Sequence, residues 1–103
     1  MKQALDKVER QMDGIDYQRF LTDVHVADSV AMQLAVLGEA ANKLSKQLKD
    51  DFPAIPWRKV IGLRHLIAHE YDKLEPSKLW DIATGDVVRL SADLPAPPPA
   101  DIL

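Results

Sequence analysis

The sequence predicts an all-α protein, an up-and-down four-helix bundle with short loops and a Pro-rich C-terminal tail. Three observations point there. Apolar residues recur at steps of three and four and nowhere alternate as they would in a strand. Only four glycines interrupt the chain. All seven prolines stand between the periodic stretches or after the last of them, at Pro53, Pro56, Pro76, Pro95 and Pro97 to Pro99, where they punctuate helices rather than break them. The 103 residues, 47% hydrophobic and 28% charged, carry enough apolar surface to offset the entropy of ordering one domain. A chain this short leaves much of its surface in water, so a partner subunit would help it. The domain is expected over residues 1–94, with 95–103 as a tail.

Taken in order, Met1 to Met12 forms a first helix with Ala4, Leu5, Val8 and Met12 on one side. Asp13-Gly14-Ile15-Asp16 is a turn signal, and Tyr17 to Leu21 suits one short helical turn. The longest helix is expected from Asp23 to Leu48. Its apolar positions Ala27, Val30, Leu34, Leu37, Ala41, Leu44 and Leu48 are spaced alternately by three and four, a seam for packing against antiparallel neighbours. Met32 and Val36 form a second apolar strip off that seam. A helix with two such strips either sits centrally or touches a second subunit. Lys49 to Pro53 ends it. Pro56 suits the first turn of the next helix, Trp57 to His69. Tyr71 to Glu75 reads as a loop. Pro76 opens a fourth helix that runs to Leu94, with Leu79, Ile82, Ala83, Val87 and Leu90 as its stripe. The terminal LPAPPPADIL cannot continue a helix and is expected to be polyproline II or disordered.

Composition excludes several classes of function. The net charge of −3 argues against a surface built throughout to grip nucleic acid, although a local basic cleft remains compatible with it. The absence of cysteine removes disulfides, thiolate metal sites and cysteine nucleophiles. No apolar run reaches the roughly 18 residues of a membrane span, and the N-terminus does not read as a signal peptide. The expected location is the cytoplasm, with no cofactor and no membrane partner.

Chemistry concentrates between Gly62 and Asp72. Two of the three histidines lie there with an arginine, a tyrosine and two carboxylates. Three readings compete. His65 and His69 have metal-ligand spacing, but Leu66 stands where a zinc-hydrolase helix carries its glutamate, and only Glu70 or Asp72 offers a third ligand. Alternatively, Arg64 and His69 form a phosphate-chemistry pair: a guanidinium fork for the developing charge and an imidazole for the proton. Five residues along a helix turn about 140°, so the two do not share a face. Either the helix ends near Ala68 or two copies of the chain build one cleft. The third reading is a surface ion pair of Arg64 with Glu70 or Asp72, and His69 beside unpaired helix-end carbonyls. Spacing alone favours the third, since R-x4-H is expected by chance about 0.15 times in this composition.

The wider pattern is more specific. Gly38-Glu39-Ala40-Ala41, then Phe52-Pro53, then Ile55-Pro56-Trp57 through Gly62-Leu63-Arg64, then His69-Glu70-Tyr71 resembles the HepT-like branch of the HEPN superfamily, over about residues 14–94. The resemblance implies a metal-independent ribonuclease toxin of a type VII toxin–antitoxin pair. Its partner would be a minimal nucleotidyltransferase antitoxin, and it would form a homodimer whose R-x4-H motifs face one another. It assigns phosphate stabilisation to Arg64, proton transfer to His69 and AMP acceptance to Tyr71. An anionic adduct there would occupy the phosphate site and repel RNA.

Two departures stand out. An asparagine often follows the arginine in these proteins; here it is His65, a candidate donor to RNA phosphate. The first helix reads as short, since the resemblance leads one to expect about two more turns ahead of Met1. Glu39 reads either as an exposed carboxylate or as a group reaching across the bundle to Arg64 or His69. Trp57 and Trp80 suit packing better than base stacking, Arg58 and Lys59 suit solvent, and His25 has no evident role. A non-catalytic helical module that binds a nucleotidyltransferase or RNA is the alternative.

Overall fold

The computed structural model describes residues 1–94; the expected tail, 95–103, lies outside the described residues. Helix α1 (Lys2–Met12) buries Ala4, Leu5 and Val8. Gly14 then turns the chain at φ +71°, a conformation that costs glycine little and a Cβ-bearing residue more. Asp16 caps α2 (Tyr17–Thr22) by accepting a hydrogen bond from Arg19 N at 2.8 Å. Asp23 ends α2 and starts α3 (Val24–Lys43), its side chain accepting from the amides of His25 and Val26. Such capping satisfies donors that the first turn leaves unpaired.

The expected single helix from Asp23 to Leu48 is in fact two. Leu44 leaves the helix with ψ 150°. Ser45 then caps α4 (Lys46–Asp51), its Oγ accepting from Leu48 N at 3.1 Å. The serine offers the backbone a local alternative to continuing the helix. The apolar spacing ran through the break because α4 is itself helical. The cost to the expectation is visible in burial: the seam from Ala27 to Ala41 is buried, whereas Leu44 and Leu48 are only half-buried.

Helix α5 (Trp57–Glu70) follows a link in which Ile55 is buried. The Trp57 indole nitrogen donates to the carbonyls of Lys49 and Phe52, at 3.1 and 3.0 Å, and so ties the start of α5 to the end of α4. The loop expected after His69 is a 3₁₀ turn, Tyr71–Lys73. The fourth long helix, with Pro76 in its first turn, is α6 (Pro76–Asp81) and α7 (Val87–Asp93), joined by a π-helical turn at Ile82–Asp86. Its buried stripe is Leu79, Ala83, Val87 and Leu90; Ile82, expected in it, is half-buried.

The expected all-α bundle is present, with α2 and α4 as short insertions. Helix α3 is central. Helix α5 packs along it most extensively, and α1 packs on it as well. The α3–α5 pair is antiparallel, since Gly38 meets residues 60–64 while Asp28 meets Tyr71. Lys2 reaches Ser91, which sets α1 against α7 in the same sense. Trp80 packs edge-on against Tyr17 and Phe20, the packing role expected of it. Leu5, Val8, Phe20, Val30, Leu34, Leu37, Leu79 and Val87 are almost completely buried and form the centre of the core. Met32 and Val36 stay 62% and 46% exposed, so the second strip of α3 has no cover within the described residues. Among the described residues, no helix is long and apolar enough to cross a membrane.

Candidate active site

The R-x4-H residues lie on α5 where it crosses α3, and the closeness of that crossing comes from Gly38. A Cβ there would stand 2.8 Å from Arg64 N and 3.0 Å from Val60 O, closer than carbon tolerates. The missing side chain lets the α5 backbone sit directly on α3.

Above this contact Glu39 Oε2 lies 3.1 Å from Arg64 Nε. The pair is on the surface, with side chains 41% and 65% exposed, so Glu39 is an exposed carboxylate that also reaches across to Arg64. Screened by water, it adds at most about 1 kcal/mol to stability. Its effect is orientation. With Nε engaged, the terminal nitrogens of Arg64 have no partner among the described residues and remain open to an anion. Lys43 Nζ lies 3.9 Å from the other oxygen of Glu39. The expected alternative pairs of Arg64 with Glu70 or Asp72 do not form.

Helix α5 continues without interruption through Glu70. Ending the helix near Ala68 is therefore not how Arg64 and His69 come together; within one chain they point about 140° apart. His69 and His65 lie one turn apart, with ring centroids 4.6 Å from each other and planes tilted by 46°. Both are exposed. Among the described residues no three histidine, aspartate or glutamate side chains converge as a metal's ligands would. Arg58 and Lys59 are exposed nearby.

Tyr71 opens the 3₁₀ turn just beyond α5, and its hydroxyl donates a 2.5 Å hydrogen bond to Asp28 Oδ1 on α3. Burial pushes its pKa up, and the hydrogen bond and charge of Asp28 add to this, to about 12. Asp28 escaped sequence reasoning. One signal was available: it precedes Glu39 by eleven residues, three helical turns to within about 20°. The two carboxylates thus share a stripe of α3, and each holds one residue of the motif.

A family model described as "Ribonuclease HepT-like" matches residues 1–96. The chain belongs to the HepT-like ribonuclease family. "Putative RNase MJ1380" of Methanocaldococcus jannaschii is 29% identical over 94 residues, covering 91% of this chain and 85% of that protein. "Putative RNase MJ0127" of the same organism is 30% identical, covering 80% and 73%. "Probable ribonuclease HepT" of Thermococcus cleftensis is 27% identical, covering 85% and 80%. No solved structure matches the chain significantly. The HepT-like family and the all-α bundle agree with the sequence-level resemblance.

Proposed function

We propose that this HepT-like protein is a metal-independent endoribonuclease toxin that acts as a homodimer in the cytoplasm. One observation carries the reading. Arg64 and His69 are both exposed on one unbroken helix, and their directions differ by about 140°. A phosphate needs both at once, and a second copy of the chain, placed across the motif, supplies the one that points away.

In that composite cleft His69 takes the proton of a ribose 2′-hydroxyl. The freed oxygen attacks the adjacent phosphorus, and the bond to the 5′-oxygen of the next nucleotide breaks. Arg64, held by Glu39, stabilises the charge that builds on the phosphate oxygens. The products are a 2′,3′-cyclic phosphate and a 5′-hydroxyl, the latter receiving a proton from the acid form of a histidine. His65, one turn from His69, donates to RNA phosphate. A minimal nucleotidyltransferase antitoxin neutralises the site by attaching AMP to Tyr71, which puts a bulky anion at the end of the motif helix and repels RNA.

Mixed dimers test this. R64A and H69A homodimers should each fail to cleave labelled RNA in excess chelator. A heterodimer of the two variants retains one Arg64 and one His69 on opposite protomers and should recover cleavage. Recovery of none, from heterodimers shown to form, would overturn the composite site. An unmodified wild type that never cleaves would leave a helical module that binds RNA or a nucleotidyltransferase.

A further inference from the structure

The two carboxylates on the α3 stripe differ in one respect that bears on proton transfer. Glu39 is engaged by two cations, Arg64 at 3.1 Å and Lys43 at 3.9 Å. Asp28 has no cation within ion-pair distance among the described residues; its described side-chain contact is the hydroxyl of Tyr71. It is also exposed, so a nucleotide presented to Tyr71 reaches both groups together. A carboxylate that touches a hydroxyl and has no cation to hold its charge is placed to receive that hydroxyl's proton.

We propose that Asp28 is the general base for modification of Tyr71, taking the phenolic proton while Tyr71 Oη attacks the α-phosphorus of a nucleoside triphosphate. This rests on the reading of Tyr71 as the AMP acceptor. The step balances. A bond forms between Oη and the α-phosphorus. The bond from that phosphorus to the bridging oxygen breaks, and its electron pair leaves with pyrophosphate. The proton moves from Oη to Asp28 Oδ1. The elevated pKa of the phenol, about 12, supports the need for a base: at neutral pH almost no free phenolate exists, so the proton has to leave as the new bond forms. The geometry gives the toxin a part in its own neutralisation, because the base is carried by the modified protein rather than by the transferase.

The test uses the full chain, a minimal nucleotidyltransferase of the kind proposed as its partner and Mg-ATP, with intact mass following addition of one adenylyl group. Wild type, Y71F, D28N and D28E are compared, and affinity for the transferase is measured separately. The amide introduced by D28N keeps the size and an acceptor oxygen but takes no proton at neutral pH. D28N should slow transfer about a hundredfold with affinity unchanged, and D28E, which restores a carboxylate, should recover part of the rate. A D28N rate close to wild type would overturn the proposal while leaving Tyr71 as acceptor. A loss of rate matched by a loss of affinity would make Asp28 a docking contact and overturn it too. If wild type gains no AMP, the reading of Tyr71 fails and the base assignment falls with it. Asp28 is exposed, so the fold should survive; D28S is the second variant should D28N fail to fold.

Discussion

Gly38 of α3 and Arg64 of α5 meet backbone to backbone: a Cβ on Gly38 would stand 2.8 Å from the Arg64 amide nitrogen. The nearest atoms are main-chain atoms of a packed helix, so no flexible side chain can move aside. G38A gains helix propensity, about 1 kcal/mol, but overpacking costs about 1–3 kcal/mol. A net loss of up to about 2 kcal/mol is expected by urea unfolding. Cleavage should fall further than stability does, because α5 carries the motif that the clash displaces.

Glu39 holds Arg64 at the surface, so its removal separates orientation from stability. E39Q should change unfolding free energy by no more than about 1 kcal/mol. Cleavage should nonetheless drop about tenfold, with KM for RNA rising less than kcat falls, since the guanidinium is needed most where phosphate charge is greatest. An unfolding change above about 2 kcal/mol would show instead that the pair supports the fold.

His69→Ala should lower cleavage of a labelled RNA about a hundred- to ten-thousandfold without changing helix content or oligomeric state, because the imidazole is exposed. Arg64→Ala should have an effect of similar size, about a hundred- to thousandfold. Cleavage that survives either change would place the chemistry elsewhere.

Tyr71 provides a pH test. In the Y17F variant it is the sole remaining tyrosine, and phenolate absorbance should titrate near 12 rather than near 10. D28N should lower the midpoint only part of the way, because burial is the larger cause and the aspartate the smaller. The folded chain keeps the phenolic proton after the unfolded chain has released it. Stability contributed by this group is therefore fully present below about pH 10 and is lost between about 10 and 12.

Trp57→Phe removes the indole donor to the carbonyls of Lys49 and Phe52 while keeping an aromatic ring. The expected loss is about 1–2 kcal/mol in urea unfolding. RNA cleavage should be retained, because Trp57 lies two turns before Arg64 and its indole faces the α4 end rather than the motif. A loss of RNA affinity with stability unchanged would point instead to base stacking.

The elements most legible in the sequence are those with local causes. Asp16 and Asp23 announce helix starts through their own side chains, Gly14 announces a positive φ, and Pro76 announces a first turn. The break at Leu44 was not legible, although Ser45 is a capping residue by type. The apolar spacing on both sides of it fits one helix as well as two, and only the path of the chain over its core separates them. The π turn at Ile82–Asp86 was missed for a similar reason, since Leu79, Ala83, Val87 and Leu90 fit one unbroken stripe.

For the site, the sequence by itself determined which residues belong to the motif, and that Arg64 and His69 leave a helix in different directions. Periodicity is a property of the local chain, and a fixed angle per residue suffices to derive it. The partners of these residues were decided by tertiary structure. Glu39 was one candidate for Arg64, competing with Glu70 and Asp72, and the ion pair was settled by how closely α5 lies on α3 at Gly38. Asp28, forty-three positions from Tyr71, was settled by the antiparallel register of the same two helices. Register depends on side-chain packing summed over a whole interface, and no short window of sequence contains that sum.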